Sequence, residues 1–497
     1  MIRTVQQYVE SLNDGREIYI NGEKVPDITK HKLFRGPINA RAMSYYLYNH
    51  PEFKDLLTVE EKGERYLFLW KQPRTSEDLL KRRHLYLTCM RWGAAMSGMG
   101  PDSLAATGIV TRRIDKAMGT KYTEAVEDYR RHLVEADPAI TGAITDVKGD
   151  RSLHPNQQKQ HKDFYVRVVD KNKDGIVVRG AKMHISATPT ANEIIVQPSR
   201  THREADKDYA VVFATPLNAP GIKLFTSPPY FEEYGEEAEW NWPVSGRGKG
   251  VSECMIVFDD VFVPWNRVFM CGEWQFTRDQ AYMFGVFHRL FGTCHKVIST
   301  ERIAGAAKLL AEYNGNEKYP HVQEKLAWLA MHTKLVDTLA NAACENPDYY
   351  PDIDLASPNV TITNMAKFSF ANNQHEANKV LSDIAGGLLC TVFNYRDWKN
   401  PEQRPYIEKY LAGVDGVSTE DRLKAIRLAK DLTGHWHDVL AIHAEGSLAA
   451  QKMMIYHSAD WDRYKAWAKK TAGISGWEDH PSMKGLPKEN KWIIDEK

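Results

Sequence analysis

The chain reads Phe164-Tyr165-Val166-Arg167-Val168-Val169, then a polar stretch from Asp170 to Gly175, then Ile176-Val177-Val178-Arg179. Apolar and polar side chains alternate on both sides of a turn-forming segment, which is the pattern of a β-hairpin. Working outward, the period of two persists from about 139 to 275. Strands are expected at Glu193 to Gln197, Tyr209 to Ala214, Gly221 to Phe225 and Cys254 to Val263. Pro216, Pro220, Pro228, Pro229 and Pro243 punctuate them, as prolines do at strand ends and edges. A small antiparallel barrel or sandwich is the expected middle layer.

On either side of that layer the period is helical. Before it, Glu60 to Trp70 and Ser76 to Met96 carry apolar residues at spacings of three and four. Ser76-Glu77-Asp78 reads as a helix start, its acids at the positive end of the dipole, and Asp137-Pro138 closes this first zone. After it, helices are expected over Glu301 to Tyr313, Val322 to Ala342, Asn364 to Gly386, Thr419 to Thr433 and Asp438 to Tyr456. They are long and amphipathic, and Gly, Pro and Asn loops join them, which suits a bundle. The zones are an N-terminal helical domain over 1–138, a β domain over 139–275 and a helical bundle over 276–475. A polar tail covers 476–497, either an arm on a neighbouring subunit or loosely held. A β layer between two helical ones leaves a crevice in which a flat cofactor could lie.

Composition bounds the function. The 65 basic and 65 acidic side chains cancel, which argues against a protein built to bind nucleic-acid phosphates. A hydrophobic fraction of 43% excludes a disordered chain. No apolar run approaches the roughly 20 residues that cross a bilayer, and Met1-Ile2-Arg3-Thr4-Val5-Gln6-Gln7 has no uninterrupted apolar core, so no secretory signal is expected. Cysteines 89, 254, 271, 294, 344 and 390 form no CxxC pair, as expected of reduced thiols in a cytoplasm.

Several motifs carry competing readings. Ser245-Gly246-Arg247-Gly248-Lys249-Gly250 is glycine-rich but lacks phosphate-loop spacing, so a surface loop is expected. His435, His437 and His443 lack a carboxylate at helical spacing, and no metal site is expected there. Ile140 to Arg151 combines small residues, hydroxyls and fixed charges where helix meets barrel. Either this loop only caps the first domain, or its backbone amides, Thr145 and Lys148 bind the carbonyls of an isoalloxazine. Gly180 to Thr188 is again small and hydroxyl-rich. It is either a bulged strand or the place where Ser186 meets a flavin N5.

These two segments, with others in order, resemble the flavoprotein family that joins 4-hydroxyphenylacetate 3-hydroxylases with 4-hydroxybutyryl-CoA dehydratases. The resemblance begins at Gln7-Tyr8-Val9-Glu10-Ser11-Leu12 and Asp14-Gly15-Arg16 and continues through Thr145-Asp146 and Gly149-Asp150-Arg151. It runs on through Asp174 to Lys182, Asp206 to Val211, Val257 to Pro264, Asp383 to Leu388 and Glu445-Gly446-Ser447. It implies an α+β, acyl-CoA-dehydrogenase-like fold of helices, barrel and four-helix bundle, assembled as a homotetramer or homodimer. It also implies FAD, used as FADH2, between barrel and bundle. Ala143, Ile144, Thr145, Lys148, Arg151, Ser186 and Thr188 fall where the family contacts flavin, and Gly386 and Gly387 would reach it from a partner chain.

The resemblance covers two chemistries. In the dehydratase branch three cysteines and a histidine hold a four-iron cluster. Here the cysteine pair falls near Gly93 and Ser97, the histidine is kept as His288, and the last cysteine position falls on His295, beside Cys294. No cluster is therefore expected. Glu253 and Lys296 match acid/base positions of that branch, while its active-site tyrosine falls on or beside Gly292 and Phe291. In the hydroxylase branch Arg91 matches the arginine that binds the phenol, but the tyrosine and histidine positions hold Ala94 and Gly142, so either another base, His288 or His184, takes the phenol's proton or the substrate is not the usual phenol. The first expectation is a two-component monooxygenase fed FADH2 by a separate NAD(P)H:flavin reductase and hydroxylating a phenolic or related aromatic small molecule. Its catalytic residues would be Arg91, Ser186, Glu253, His288 and Lys296, with no metal ligands. The alternatives are a cluster-free dehydratase or isomerase acting on a 4-hydroxybutyryl-CoA-type thioester, and a flavin-binding homologue without catalysis.

Overall fold

The computed structural model describes residues 2–95, 98–227, 235–245, 252–434 and 442–486. Ser97, Pro228, Pro229, the Gly246–Gly250 loop, His435, His437, the expected helix start at Asp438 and the tail beyond 486 lie outside the described residues.

The hairpin forms as its alternation requires. Strand β4 (Arg167–Lys171) pairs antiparallel with β5 (Gly175–Ser186), placing Arg167 opposite Arg179 and Val168 opposite Val178. Asn172 closes the turn, its side chain accepting from the amides of Asp174 and Gly175. Gly180, at φ +137, packs so close to the Tyr165 carbonyl that a side chain would overlap it. The other strands are β1 (Glu17–Ile20), β2 (Glu23–Val25), β3 (Ile140–Ala143), β6 (Glu193–Val196), β7 (Val211–Pro216), β8 (Ile222–Thr226), β9 (Glu253–Pro264) and β10 (Val268–Cys271). They form a six-stranded sheet in the order β2-β1-β8-β9-β5-β4 and a four-stranded sheet in the order β10-β7-β6-β3. Most neighbours are antiparallel; β1 with β8 and β3 with β6 are parallel. β1 and β2 come from inside the N-terminal zone and complete the larger sheet.

The N-terminal helices that bear on the site are α1 (Ser76–Arg91), α2 (Met99–Met118) and α3 (Tyr122–Ala136). Thr75 caps α1 by accepting from the Asp78 amide, and Asp137 ends α3 in a left-handed turn. Glu60 to Trp70 is not helical. It is a hairpin, Thr58–Glu61 with Glu64–Leu67, followed by a short 3₁₀ turn. Lys62 and Gly63, both at positive φ, make its tight turn.

The C-terminal layer is built on α4 (Thr277–Tyr313), packed against α5 (Pro320–Glu345), α6 (Val360–Ala385) and α7 (Thr419–Thr433) as a bundle. The helix α8 (Leu448–Ser458) lies on α6. The helix expected to run unbroken into Tyr456 instead breaks at Glu445-Gly446-Ser447. Glu445 and Gly446 adopt positive φ, and Ser447 caps α8. One hydrophobic core joins the N-terminal helices, both sheets and the first turns of α4, so the three layers meet along α4. Among the described residues no helix is long and apolar enough to cross a membrane.

Candidate functional site

A cleft enclosing about 1020 Å³, mouth included, opens where α1, α2, the ends of β5 and β9, and α4 converge. Ser186, Glu253, His288 and Lys296, four of the five residues expected to be catalytic, line it together with His295, Phe291, Arg302 and Glu445. Arg91 does not. It ends α1 with an exposed side chain and pairs at 3.0 Å with Glu301. His184, at a bulge in β5, is exposed and does not line the cleft either.

Strand register brings Ser186 and Glu253 together as cross-strand partners, and the Ser186 hydroxyl donates to Glu253 Oε1 at 2.8 Å. Burial pushes Glu253 up to about 7, the Ser186 hydrogen bond pulling the other way. Between about pH 4.5 and 7 the folded chain therefore keeps this proton while the unfolded chain has lost it. The folded state binds the extra proton, so stability falls as pH rises through that window. Glu253→Gln removes the ionisation. The variant is expected to match the parent near pH 4 and to exceed it at pH 8 by roughly 2–3 kcal/mol in urea unfolding.

His288 is held by a carboxylate. Its Nδ1 lies 3.1 Å from Asp102 Oδ2, and the other Asp102 oxygen accepts from the Tyr86 hydroxyl at 2.8 Å. Asp102 is fully buried on α2, so Tyr86 and His288 stand in for water at its two oxygens. Phe284 and Phe291 stack against the imidazole at 4.9 and 5.6 Å. The ring is thus fixed in plane and position.

The third element is a buried ion cluster. Lys296 Nζ lies 3.0 and 2.9 Å from the two Glu445 oxygens, and Lys367, on α6, is 3.9 Å from one of them. Burial would raise Glu445, but Lys296, Lys367 and His288 outweigh it and hold the carboxylate ionised, far below its ordinary value. Burial takes Lys367 down to about 7, with Glu445 opposing. The chain break at Glu445 delivers this carboxylate, and Arg289 fixes the break by donating to the Glu445 carbonyl at 3.0 Å. The space Glu445 occupies exists because residue 292 is glycine: a Cβ there would overlap the Glu445 side chain. Gly→Ala inside a helix ordinarily stabilises by about 0.5–1 kcal/mol. Gly292→Ala is expected to destabilise instead, by roughly 1–3 kcal/mol in thermal or urea unfolding.

The residues expected to hold flavin divide. Ala143 and Ile144 are buried at the end of β3. The fully buried Lys182 on β5 pins the loop that follows, donating to the Ile144 and Gln197 carbonyls and to Asp146. Among the described residues no hydrogen bond or ion pair reaches the Thr145 or Lys148 side chain, and Arg151 is exposed in the same loop. Lys148 is half-buried, and burial, then Arg151, lowers its pKa. Thr188 is spent: wholly buried, it donates to the Ile185 carbonyl. Gly386 and Gly387 follow α6 on the surface, with open space above both.

Among the described residues no group of three or more His, Cys, Asp or Glu could hold a metal ion. Gly93 lines the cleft without a ligand atom, and Cys89 and Cys294 are buried thiols whose pKa values burial raises to about 12. Gly142 has Ser103 Oγ and the Met99 carbonyl where a side chain would go, at 2.6 and 2.7 Å. No histidine fits there. Asp102, Glu445 and Lys367 are site residues to which sequence reading gave no role; Glu445 entered only as part of the segment Glu445-Gly446-Ser447 that carries the resemblance.

Family models described as 4-hydroxyphenylacetate 3-hydroxylase N-terminal and C-terminal match residues 4–270 and 277–473. The chain belongs to the 4-hydroxyphenylacetate 3-hydroxylase family. Within that family it is 32% identical over 500 residues to 4-hydroxybutyryl-CoA dehydratase/vinylacetyl-CoA-Δ-isomerase of Clostridium aminobutyricum, covering 95% of this chain and 100% of that one. It is 31% identical over 441 residues to the 4-hydroxyphenylacetate 3-monooxygenase oxygenase component of Thermus thermophilus, covering 87% and 89%. The crystal structure of an oxygenase component of 4-hydroxyphenylacetate 3-monooxygenase complexed with FAD superposes with a TM-score of 0.84 at 28% identity, covering 95% and 99%. The family thus accounts for the helix–sheet–helix architecture, and it holds both chemistries.

Proposed function

We propose that this family member is an FAD-dependent enzyme that moves a proton along an unsaturated acyl thioester, shifting its double bond. The observation that carries the reading is the convergence of Glu253, His288, Lys296 and Glu445 in one cleft, with Arg91 outside it and Gly142 walled off. The acid/base set is assembled, whereas the groups that would grip a phenol are not.

FAD fits the loop after β3. Thr145, Lys148 and Arg151 would hold it, with the amides of 143–145, and the half-buried cation at Lys148 suits an anionic ring or phosphate. Gly386 and Gly387, exposed and unobstructed, suit an approach from a second copy of the chain in a homodimer or homotetramer. FAD held by these residues would supply a reversible electron sink. The donors near Gly93 and His295 do not fit a four-iron cluster, and no step is assigned to one.

In the isomerisation, Glu253, poised near neutrality, takes a C2 proton while Ser186 orients its carboxylate. Lys296, anchored by Glu445, faces the negative charge that collects on the thioester oxygen. A proton is returned at C4 by the Glu253 carboxyl or by the His288 imidazole that Asp102 fixes. One C–H bond breaks, one forms, and the double bond moves between C3–C4 and C2–C3, with no net gain or loss of electrons.

The test is incubation of FAD-loaded protein with vinylacetyl-CoA without oxygen. Crotonyl-CoA is expected, and its absence would overturn the reading. The second reading, a monooxygenase supplied with FADH2 by a separate reductase, is favoured by the His288–Asp102 pair, which could take a phenol's proton. It requires catechol from 4-hydroxyphenylacetate, reduced FAD and oxygen. None is expected here.

A further inference from the structure

The cleft continues beyond the acid/base cluster. His288, Phe291, His295, Ile298 and Arg302 recur at three- and four-residue spacing on α4, and all line it. At 1.5 Å per residue this face runs about 21 Å, and Arg302 lies about 9 Å past Lys296 along the axis. Both side chains lean toward the helix N-terminus, so this axial interval is kept between their charged ends, and both line the one cleft.

Arg302 is half-buried, and burial is the main influence on it, opposed by Asp431 and Glu301. Both acids are committed elsewhere. Asp431 accepts from the amides of Val244 and Ser245 and from the Ser245 hydroxyl at 2.7, 3.0 and 2.8 Å. Glu301 pairs with Arg91. Among the described residues no hydrogen bond or ion pair reaches the Arg302 side chain. A planar fork of five N–H donors therefore lines the cleft with no counter-charge at contact distance among the described residues, in a lining that also includes the apolar Met90, Ala94 and Ile298.

We infer that Arg302 is a substrate-anchoring residue that seats a free carboxylate at the far end of the acyl chain, so that the preferred substrate is the monothioester of a short unsaturated dicarboxylic acid. The inference rests on the acyl-thioester reading above and names its substrate class. A carboxylate is the anion that a guanidinium grips bidentately, and a short diacid chain bridges the interval from Lys296 to Arg302. In such a chain the double-bond shift remains a proton transfer balanced within the substrate.

The test compares binding of glutaryl-CoA and pentanoyl-CoA, equal in acyl length and differing in the terminal carboxylate. Equilibrium dialysis on FAD-loaded parent, Arg302→Gln and Arg302→Lys reads the affinities. The parent is expected to bind glutaryl-CoA roughly 10- to 100-fold more tightly, Arg302→Gln to lose that preference, and Arg302→Lys to keep part of it. Equal affinities in the parent would overturn the inference. So would an equal loss for both esters in Arg302→Gln, which would assign Arg302 to a CoA phosphate. Should one variant fail to fold, the parent comparison and the other variant still decide. Vinylacetyl-CoA isomerisation by the same parent preparation separates the two claims. A glutaryl-CoA preference without isomerisation sinks the reaction and keeps the seat; isomerisation without the preference sinks the seat alone.

Discussion

Lys296→Met is expected to cost about 3 kcal/mol of stability at pH 7 and to abolish turnover. Both charges of the Lys296–Glu445 pair are buried, with side-chain exposures of 3% and 7%. Removing the ammonium leaves a carboxylate that the break at Gly446 and the Arg289 hydrogen bond prevent from swinging out to water. Lys367 then becomes its nearest cation. Its pKa, near 7 in the parent because burial dominates, is expected to rise once Lys296 no longer repels it. The double variant Lys296→Met with Glu445→Gln should recover most of the lost stability and none of the activity, since two neutral groups need no mutual compensation. Urea midpoints of the parent and the three variants measure this. Additive losses would mean that the two groups do not act as a pair.

The second large effect is on rate. Glu253→Gln keeps the shape of the side chain and its contact with Ser186 but cannot accept a proton, and is expected to lower turnover about 1000-fold. In the parent, turnover should rise with pH through an apparent value near 7, because the base must be ionised. Asp102→Asn should do less, roughly 10- to 100-fold, because it acts through the orientation of His288.

Physical reasons decide what could be read in advance. The α7 helix, Thr419–Thr433, was legible to the residue because its cap, Ser418, and its apolar spacing agree. β4 and β5 were legible from alternation alone. Glu60 to Trp70 was misread because two short charged strands and an apolar turn mimic helical spacing; Gly63 between them was the available signal. β1 and β2 could not be assigned to the larger sheet, since their partner β8 lies some two hundred residues on and strand pairing leaves no local mark.

The site divides in the same way. Ser186 and Glu253 meet through strand register and His288 and Lys296 through helical phase, and all four carried the family resemblance. The roles of Asp102 and Glu445 were not legible: one acts across a helix–helix contact, the other through a break that only Gly446 and Ser447 foreshadowed. Arg91 was named through its match to the hydroxylase branch's arginine, yet its side chain pairs with Glu301 and does not line the cleft. Thr188 was named through the same resemblance, and its hydroxyl donates to the Ile185 carbonyl.

The claim on which the rest depends is that Glu253 exchanges a proton with an acyl carbon in this cleft. Proton NMR of vinylacetyl-CoA in D₂O with FAD-loaded protein measures that exchange directly at C2. Loss of the C2 signal at a rate that climbs with pH to a plateau above about 7, and is about 1000-fold slower in Glu253→Gln, is the predicted result. Exchange that is absent in the parent, or equally fast in the variant, would contradict it.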